Sequence, residues 1–189
     1  MRKLNVWIAV LAVSLAAAIV SGCGDSTSTA CVVVDASHST RYALPDYLER
    51  LESSVLDAAN AGESVAALVA TGQPLVESKV ETEDFSGLTS SEDIGERNAL
   101  AQEFLADVDG SARDASLGTA KPAPGSGIVA AISLVSTRGC DSMLVLSDGL
   151  EAADVRMKVD DILSVDGRTA LLDKVEQRGR LPRLEGMTV

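Results

Sequence analysis

Two stretches of the sequence place oxygen-bearing side chains directly after a predicted buried strand. Residues 31–34 are apolar and lead into an Asp-x-Ser-x-Ser pattern that starts at Asp35, and residues 143–146 are apolar and lead into Ser-Asp-Gly, which starts at Ser147. Ligands of an open parallel sheet bind at the carboxyl ends of its strands. Hydroxyl and carboxylate oxygens are the ligands that hard cations such as Mg²⁺ prefer. The two stretches therefore predict a metal site at one edge of a sheet.

The spacing within the first stretch is expected to bring two hydroxyls together. Side chains two residues apart in an extended segment point to the same side, so Ser37 and Ser39 should face one ligand. Serine oxygens carry no charge, which would leave a bound cation electrophilic enough to accept a carboxylate from a partner. His38 lies between the two serines and is the only histidine of the chain. We interpret it as an exposed loop residue and not as a ligand.

The segments that must position these side chains alternate between strand and helix. Strands are predicted at 31–34, 65–69 and 143–146, with a looser edge strand at 75–80. Helices are predicted at 45–59, 90–108, 128–135, 151–163 and 169–177. This alternation indicates one α/β domain with a doubly wound, mainly parallel sheet and helices on both faces. Residues 184–189 look like the beginning of a further strand, so either that strand is very short or the sequence is a fragment.

Together these patterns resemble the von Willebrand factor A family and its metal-ion-dependent adhesion site. The resemblance covers residues 31–189 and implies a Rossmann-like α/β fold that binds Mg²⁺, with Mn²⁺ or Ca²⁺ as alternatives. In the family, two serines and a hydroxyl from a second loop bind the metal, two aspartates support it, and an acidic group of the partner completes the shell. The family's pattern matches this sequence at Asp35, Ser37, Ser39 and Asp148.

The hydroxyl of the second loop is the least regular part of the match. The family places a Gly-Thr pair shortly before a small apolar pair in a helix. Ser126 follows a glycine and precedes the apolar helix at that spacing, with serine in place of threonine. Thr119 also follows a glycine and has the family's residue type, but a proline-rich loop separates it from the helix. The resemblance therefore implies Ser126 as the fifth metal residue, with Thr119 as the alternative.

The beginning of the sequence indicates export and membrane anchoring. Two basic residues precede an apolar run at 6–20, which is short for a membrane span, and Val-Ser-Gly-Cys then ends at Cys23. That ending resembles the bacterial lipobox, in which the cysteine is lipidated. A lipid on Cys23 would hold the protein on the extracellular or periplasmic side of the cell membrane. We therefore expect a lipoprotein signal peptide at 1–22, a polar tether at 23–30 and a domain at 31–189.

The charge of the chain narrows the choice of partners. Sixteen basic residues stand against 28 acidic ones, for a net charge of −12, and loss of the signal peptide would make it about −14. Nucleic acid and anionic lipid surfaces both need a basic footprint, so neither is expected as a partner. A protein or another acidic ligand that completes the metal shell is expected instead, as the family resemblance implies.

The two remaining cysteines, Cys31 and Cys140, would both lie in an oxidising compartment. If their strands are neighbours, a disulfide between them would close a loop of about 110 residues. The register is against it, because Cys31 lies four residues before Asp35 whereas Cys140 lies eight residues before Asp148. The sequence leaves this disulfide open.

The sequence is compatible with three candidate functions. The favoured one is a membrane-tethered, metal-dependent binding lipoprotein, and the alternative is a structural or recruiting subunit with the same fold and no bound metal. A metal-dependent phosphohydrolase is the least favoured, since its second acid would fall at Ser37. The chain has neither a Gly-x-x-x-x-Gly-Lys loop nor a Gly-x-Ser-x-Gly elbow, and a serine triad would depend on His38 alone. We therefore expect no enzymatic activity.

Overall fold

Three of the predicted apolar runs form neighbouring strands of one sheet. In the computed structural model, which describes residues 28–71, 79–117, 127–149, 164–177 and 184–189, the chain forms four strands and four α-helices. The strands are β1 (Thr29–Asp35), β2 (Ser64–Ala70), β3 (Val80–Asp84) and β4 (Ser142–Leu146). The helices are α1 (Leu44–Ala61), α2 (Ile94–Ser116), α3 (Ile128–Ser136) and α4 (Val165–Gln177). The chain is thus an α/β protein, as the alternation of segments predicts.

β1 is an inner strand of a sheet with the order β3-β2-β1-β4. It pairs in parallel with both β2 and β4, whereas β3 runs antiparallel to β2 at the edge. The side chains of β1 are buried from Ala30 to Asp35, and those of β2 are buried from Val65 to Ala70. Burial on both faces explains why these two strands are continuous apolar runs in the sequence.

Alternate side chains of β1 pack against helices on opposite faces of the sheet. Val34 lies in one core with Leu51 of α1 and Phe104 of α2. Val33 lies in a second core with Val135 of α3. Full burial of each such side chain contributes roughly 1.5–3 kcal/mol. Two apolar cores, one on each face, therefore hold the central strand in place.

The chain reverses its direction across the sheet between β1 and β4. From β1 it moves through β2 to β3 on one side, and it then returns through α2 and α3 to β4 on the other side of β1. The residues that directly follow β1 and β4 therefore lie at this reversal, at the carboxyl ends of the two strands. Such a reversal is where an open parallel α/β sheet usually binds its ligands.

Two strand boundaries differ from the predictions. In the described residues the edge strand β3 occupies Val80–Asp84, whereas most of the predicted strand at 75–80 falls in 72–78, outside the described part of the chain. The side chains of β3 are half-buried or exposed, so no apolar run marks it. β1 begins at Thr29, within the predicted tether, because the Thr29 N–H donates to the Asp141 carboxylate and the Thr29 carbonyl accepts from the Asp141 N–H, both at 2.9 Å.

The remaining segments follow the predictions where they are described. α2 continues to Ser116, beyond its predicted end. Thr188 forms a parallel bridge with Ser142 beside β4, in the segment expected to begin a further strand. The predicted helix at 151–163, the signal peptide and Cys23 lie outside the described residues. In the described part of the chain, no helix is long and apolar enough to cross a membrane.

A disulfide joins Cys31 in β1 to Cys140 in the turn before β4, with the Cα atoms 5.7 Å apart. The number of residues between each cysteine and its acid argues against this bond only if the chain from Cys140 to Asp148 is extended throughout. β4 begins only at Ser142, and Gly139 adopts a left-handed conformation (φ 78°) that turns the chain before it. Cys140 therefore lies beside Cys31, and the bond spans a separation of 109 residues.

Removal of this disulfide is expected to destabilise the protein strongly. The variant Cys31→Ala/Cys140→Ala should lose about 4–5 kcal/mol of unfolding free energy, because the unfolded chain gains conformational entropy when so long a loop is opened. Urea unfolding followed by circular dichroism measures the loss. Cys23→Ala is the control and should keep the parent's stability. Equal stability of the double variant and this control would contradict a formed disulfide.

Candidate metal centre

The carboxyl ends of β1 and β4 meet in a direct hydrogen bond. Val34 pairs with Leu146 in the register of the two strands, so Asp35 and Ser147 follow at neighbouring positions. Ser147 Oγ donates a hydrogen bond to Asp35 Oδ2 at 2.8 Å. Residues 112 positions apart in the sequence thus come together at the point where the strand order reverses.

Asp35 is fully buried, and its carboxylate is held by the loop that follows it. Oδ1 accepts a hydrogen bond from the Ser37 backbone N–H at 2.9 Å, while Oδ2 accepts the bond from Ser147. Burial raises the pKa of Asp35 above its ordinary value of 3.8, the hydrogen bonds from Ser37 and Ser147 oppose the rise, and the charge of Asp148 adds to it. The carboxylate is therefore short of solvation, a setting in which a nearby cation stabilises the charged form.

A 3₁₀ turn at His38–Thr40 folds the first loop back on β1. Thr40 is buried, and its Oγ1 lies 2.8 Å from the Asp35 carbonyl oxygen and 3.0 Å from the Ser37 carbonyl oxygen. This anchored loop places the Ser37 and Ser39 hydroxyls 3.0 Å apart. The two serines therefore lie together as predicted, although Ser39 is in the 3₁₀ turn and not in the extended segment that the prediction assumes.

The distance between the two hydroxyls matches the ligand spacing of a small octahedral cation. Mg²⁺ binds oxygens at about 2.0–2.1 Å in octahedral geometry, so that two adjacent ligands lie about 3.0 Å apart. Ca²⁺ binds oxygens at about 2.3–2.6 Å, which would separate adjacent octahedral ligands by about 3.3–3.7 Å. The observed 3.0 Å between Ser37 Oγ and Ser39 Oγ is the length of a hydrogen bond between the two hydroxyls, and it is also compatible with two adjacent ligands of Mg²⁺.

Asp148 lies exposed in the turn after β4. Gly149 adopts the left-handed region (φ 76°), and its N–H donates to Ser147 Oγ at 3.0 Å. Burial is the main cause that raises the pKa of Tyr47, and the charges of Asp148 and Asp35 add to the rise. Asp148 acts on Asp35 in the same way, so the two carboxylates lie within electrostatic reach of each other at this edge.

The two candidates of the second loop, Ser126 and Thr119, lie outside the described residues. The described chain resumes at Gly127, which is buried and whose N–H donates to the carbonyl oxygen of Thr71 at 3.1 Å. Thr71 directly follows β2, whose last residue pairs with Asp35. The start of α3 is thus fastened at the same sheet edge as the first loop.

Three further side chains at this edge received no role from the sequence. Ser147 bonds to Asp35, Thr40 anchors the first loop, and Tyr47 in the first turn of α1 lies near two carboxylates. Ser147 could have been found from its place directly after a predicted strand. Thr40 and Tyr47 give no such signal, because only the 3₁₀ turn brings them to the edge.

No protein-family model, curated protein or solved structure matches this chain. Within the described ranges, no three His, Cys, Asp or Glu side chains are grouped so that they could hold a metal. The donors that the structure brings together are instead mainly hydroxyls, which combine with the carboxylates of Asp35 and Asp148. Such a set of hard oxygens is the chemistry that fits Mg²⁺.

Removal of the buried charge is expected to stabilise the metal-free protein. In Asp35→Asn, the amide oxygen can accept from the Ser37 N–H and the amide nitrogen can donate to Ser147 Oγ, so both hydrogen bonds persist. At neutral pH in EDTA, we expect a melting temperature higher by at least about 2 °C, the shift that roughly 1 kcal/mol gives at this size. Asp84→Asn is the control and should lower the melting temperature. Hydrogen bonds from Ser86 and Ser64 lower the pKa of Asp84, so its charged form stabilises the folded protein.

The gain from Asp35→Asn should depend on pH in a defined direction. The folded-state pKa of Asp35 is raised, so above it the parent carries the full cost of the buried charge. The cost falls as the pH drops from that pKa towards 3.8, and below 3.8 the carboxyl is protonated in both states. The two melting temperatures should therefore converge at acid pH. A parent more stable than the variant at neutral pH would contradict the assigned cost of burial.

Proposed function

We propose that this chain is an exported, lipid-anchored binding domain of the von Willebrand factor A type that depends on a divalent metal. The observation that carries the proposal is the pair of Ser37 and Ser39 hydroxyls, 3.0 Å apart on the loop that follows the buried Asp35. The pair lies at the reversal of the strand order, where an open α/β sheet binds its ligands.

The geometry of the edge supports roles for the metal residues that the structure describes. Ser37 and Ser39 would bind Mg²⁺ through their hydroxyls, and Asp35 and Asp148 would supply negative charge around it. Ser126 is the proposed ligand from the second loop, whose described end is fastened at this edge. The metal would supply an electrophilic centre for a carboxylate of the partner.

The fold proposed with this function is a doubly wound sheet. α1 and α2 pack on one face and α3 packs on the other. Parallel strands lie on both sides of β1, and the chain order reverses there. These features support the resemblance to the von Willebrand factor A family that the two strand ends suggest.

The anchor and the charge complete the proposal. Cys23 would carry the lipid that holds the domain on the extracellular or periplasmic side of the cell membrane. The net charge of −12 disfavours nucleic acid, whereas a bound cation would let an acidic protein partner approach. Catalysis is not proposed, since Nε2 of the only imidazole, His38, contacts the Arg41 guanidinium at 3.5 Å.

A second candidate function is a recruiting or structural subunit that binds no metal. The hydrogen bonds from the Ser37 N–H and Ser147 Oγ already satisfy both oxygens of Asp35. The hydroxyls of Ser37 and Ser39 also bond to each other. The edge can therefore keep its shape without a cation, and metal dependence of the stability separates the two functions.

Thermal unfolding in Mg²⁺ and in EDTA tests the proposal. A ligand that binds only the folded state, present at about 100 times its Kd, adds about 2.7 kcal/mol. That free energy corresponds to a rise of roughly 5–10 °C in the melting temperature of a domain of this size. We expect this rise in the parent and its loss in Ser37→Ala.

Two controls distinguish a specific site from the general attraction of cations to an acidic protein. Glu52→Gln removes an exposed carboxylate from α1 and should leave the Mg²⁺ response intact. Ca²⁺ at the same concentration tests whether the site prefers the smaller ion, since Mg²⁺ demands the tighter octahedral geometry. No rise in the parent would favour the metal-free candidate, and an equal rise in Ser37→Ala would place the cation elsewhere.

A further inference from the structure

Three exposed side chains next to the candidate metal centre contact one another. The Arg41 guanidinium stacks over the Tyr42 ring, with its carbon 4.5 Å from the ring centroid. Its two terminal nitrogens contact the Tyr42 hydroxyl and Nε2 of His38, the latter at 3.5 Å. We call His38, Arg41 and Tyr42 the Arg41 cluster. The cluster begins inside the metal loop, because His38 lies between Ser37 and Ser39 in the chain.

The Arg41 cluster lies on the surface and not in a core. Tyr42 is 80% exposed, and His38 and Arg41 are exposed as well. Burial of apolar area therefore explains little of this arrangement. Tyrosine and arginine are enriched at the centres of binding surfaces, and a guanidinium already held against a ring loses less freedom when it binds a carboxylate. The exposed Arg41 and Tyr42 side chains are therefore accessible to a ligand.

The charges around this edge determine what the Arg41 cluster can bind. Asp35, Asp46 and Asp148 all act on Tyr47 at the start of α1, so three negative charges lie near this edge, against the one guanidinium of the cluster. A carboxylate would be repelled by this balance in the absence of metal. A bound divalent cation would offset the excess negative charge, so we expect recognition of an anion here to require the metal.

We infer that the Arg41 cluster is a second carboxylate subsite and that the partner is an acidic peptide segment with two carboxylates. The inference rests on the proposed function. One carboxylate of the segment would complete the metal shell, and the other would pair with the Arg41 guanidinium. A guanidinium has five N–H donors in a planar fork that suits a carboxylate. The contacts with His38 and Tyr42 engage one terminal nitrogen each, which leaves further donors for this pairing.

A defined series of labelled peptides tests the subsite on the full chain. Each peptide carries one Asp and, at a distance of one to four residues, either Glu or Gln in a Gly-Ser background. Fluorescence anisotropy measures the affinity of each peptide in Mg²⁺ and in EDTA. In Mg²⁺ we expect at least one Asp/Glu peptide to bind about fivefold more tightly than its Asp/Gln counterpart, the gain of a well-oriented exposed ion pair. In EDTA we expect no measurable binding.

Variants of two arginines locate the source of this preference. Arg41→Gln should abolish the preference for Glu over Gln while it keeps the Mg²⁺-dependent binding of the Asp/Gln peptides. Arg50→Gln is the matched control, because Arg50 is exposed on α1 and lies beside Ala30 and Ser142 at the amino ends of β1 and β4. This control should keep the parent's preference. The melting temperatures of both variants in Mg²⁺ check that they fold and respond to the metal.

The outcomes separate this inference from the function on which it rests. If Mg²⁺ stabilises the parent but no peptide shows a preference for the second acid, the subsite is overturned and the metal function stands. The subsite is also overturned if Arg41→Gln keeps the preference for Glu over Gln, or if the Asp/Glu peptides bind as tightly in EDTA as in Mg²⁺. If Mg²⁺ does not stabilise the parent at all, the proposed function fails and the inference fails with it.

Discussion

The hydrogen bond from Ser147 Oγ to the buried Asp35 carboxylate is the contact on which the rest of the site depends. It fixes the end of β4 beside the end of β1, and the other carboxylate oxygen is bound by the Ser37 backbone. Because the first loop is tied to the same carboxylate, the position of the serine pair follows from it. Burial makes this charge costly, which is the condition under which a nearby cation would stabilise the folded state.

Different chemistry joins the two ends of β1 to the region of β4. Towards its amino end, the disulfide from Cys31 to Cys140 is covalent. At its carboxyl end, the contact between Asp35 and Ser147 is a hydrogen bond to a buried acid. The disulfide and the two apolar cores form a frame around β1. The loops of the site follow its carboxyl end. A frame that positions loops in this way is the usual support of a binding site.

Much of the sheet could be predicted because buried parallel strands are continuous apolar runs. Those runs located β1, β2 and β4, and the spacing of two serines located the hydroxyl pair. β3 could not be found in this way, since its side chains are half-buried or exposed at the edge. The sequence leaves the disulfide open because the residue count assumes an extended chain from Cys140 to Asp148, whereas β4 begins only at Ser142. The Arg41 cluster depends on a 3₁₀ turn in which the Thr40 hydroxyl contacts the backbone carbonyls of Asp35 and Ser37, a local arrangement that leaves no periodic pattern in the sequence.

Binding of a cation at the pair formed by Ser37 and Ser39 can be observed directly by anomalous scattering. Crystals of the chain grown with Mn²⁺ in place of Mg²⁺ would be measured above and below the manganese absorption edge. We predict an anomalous peak within about 2.5 Å of both serine hydroxyls. A map with no peak there, or with manganese on other acidic surfaces only, would contradict a metal centre at this edge of the sheet.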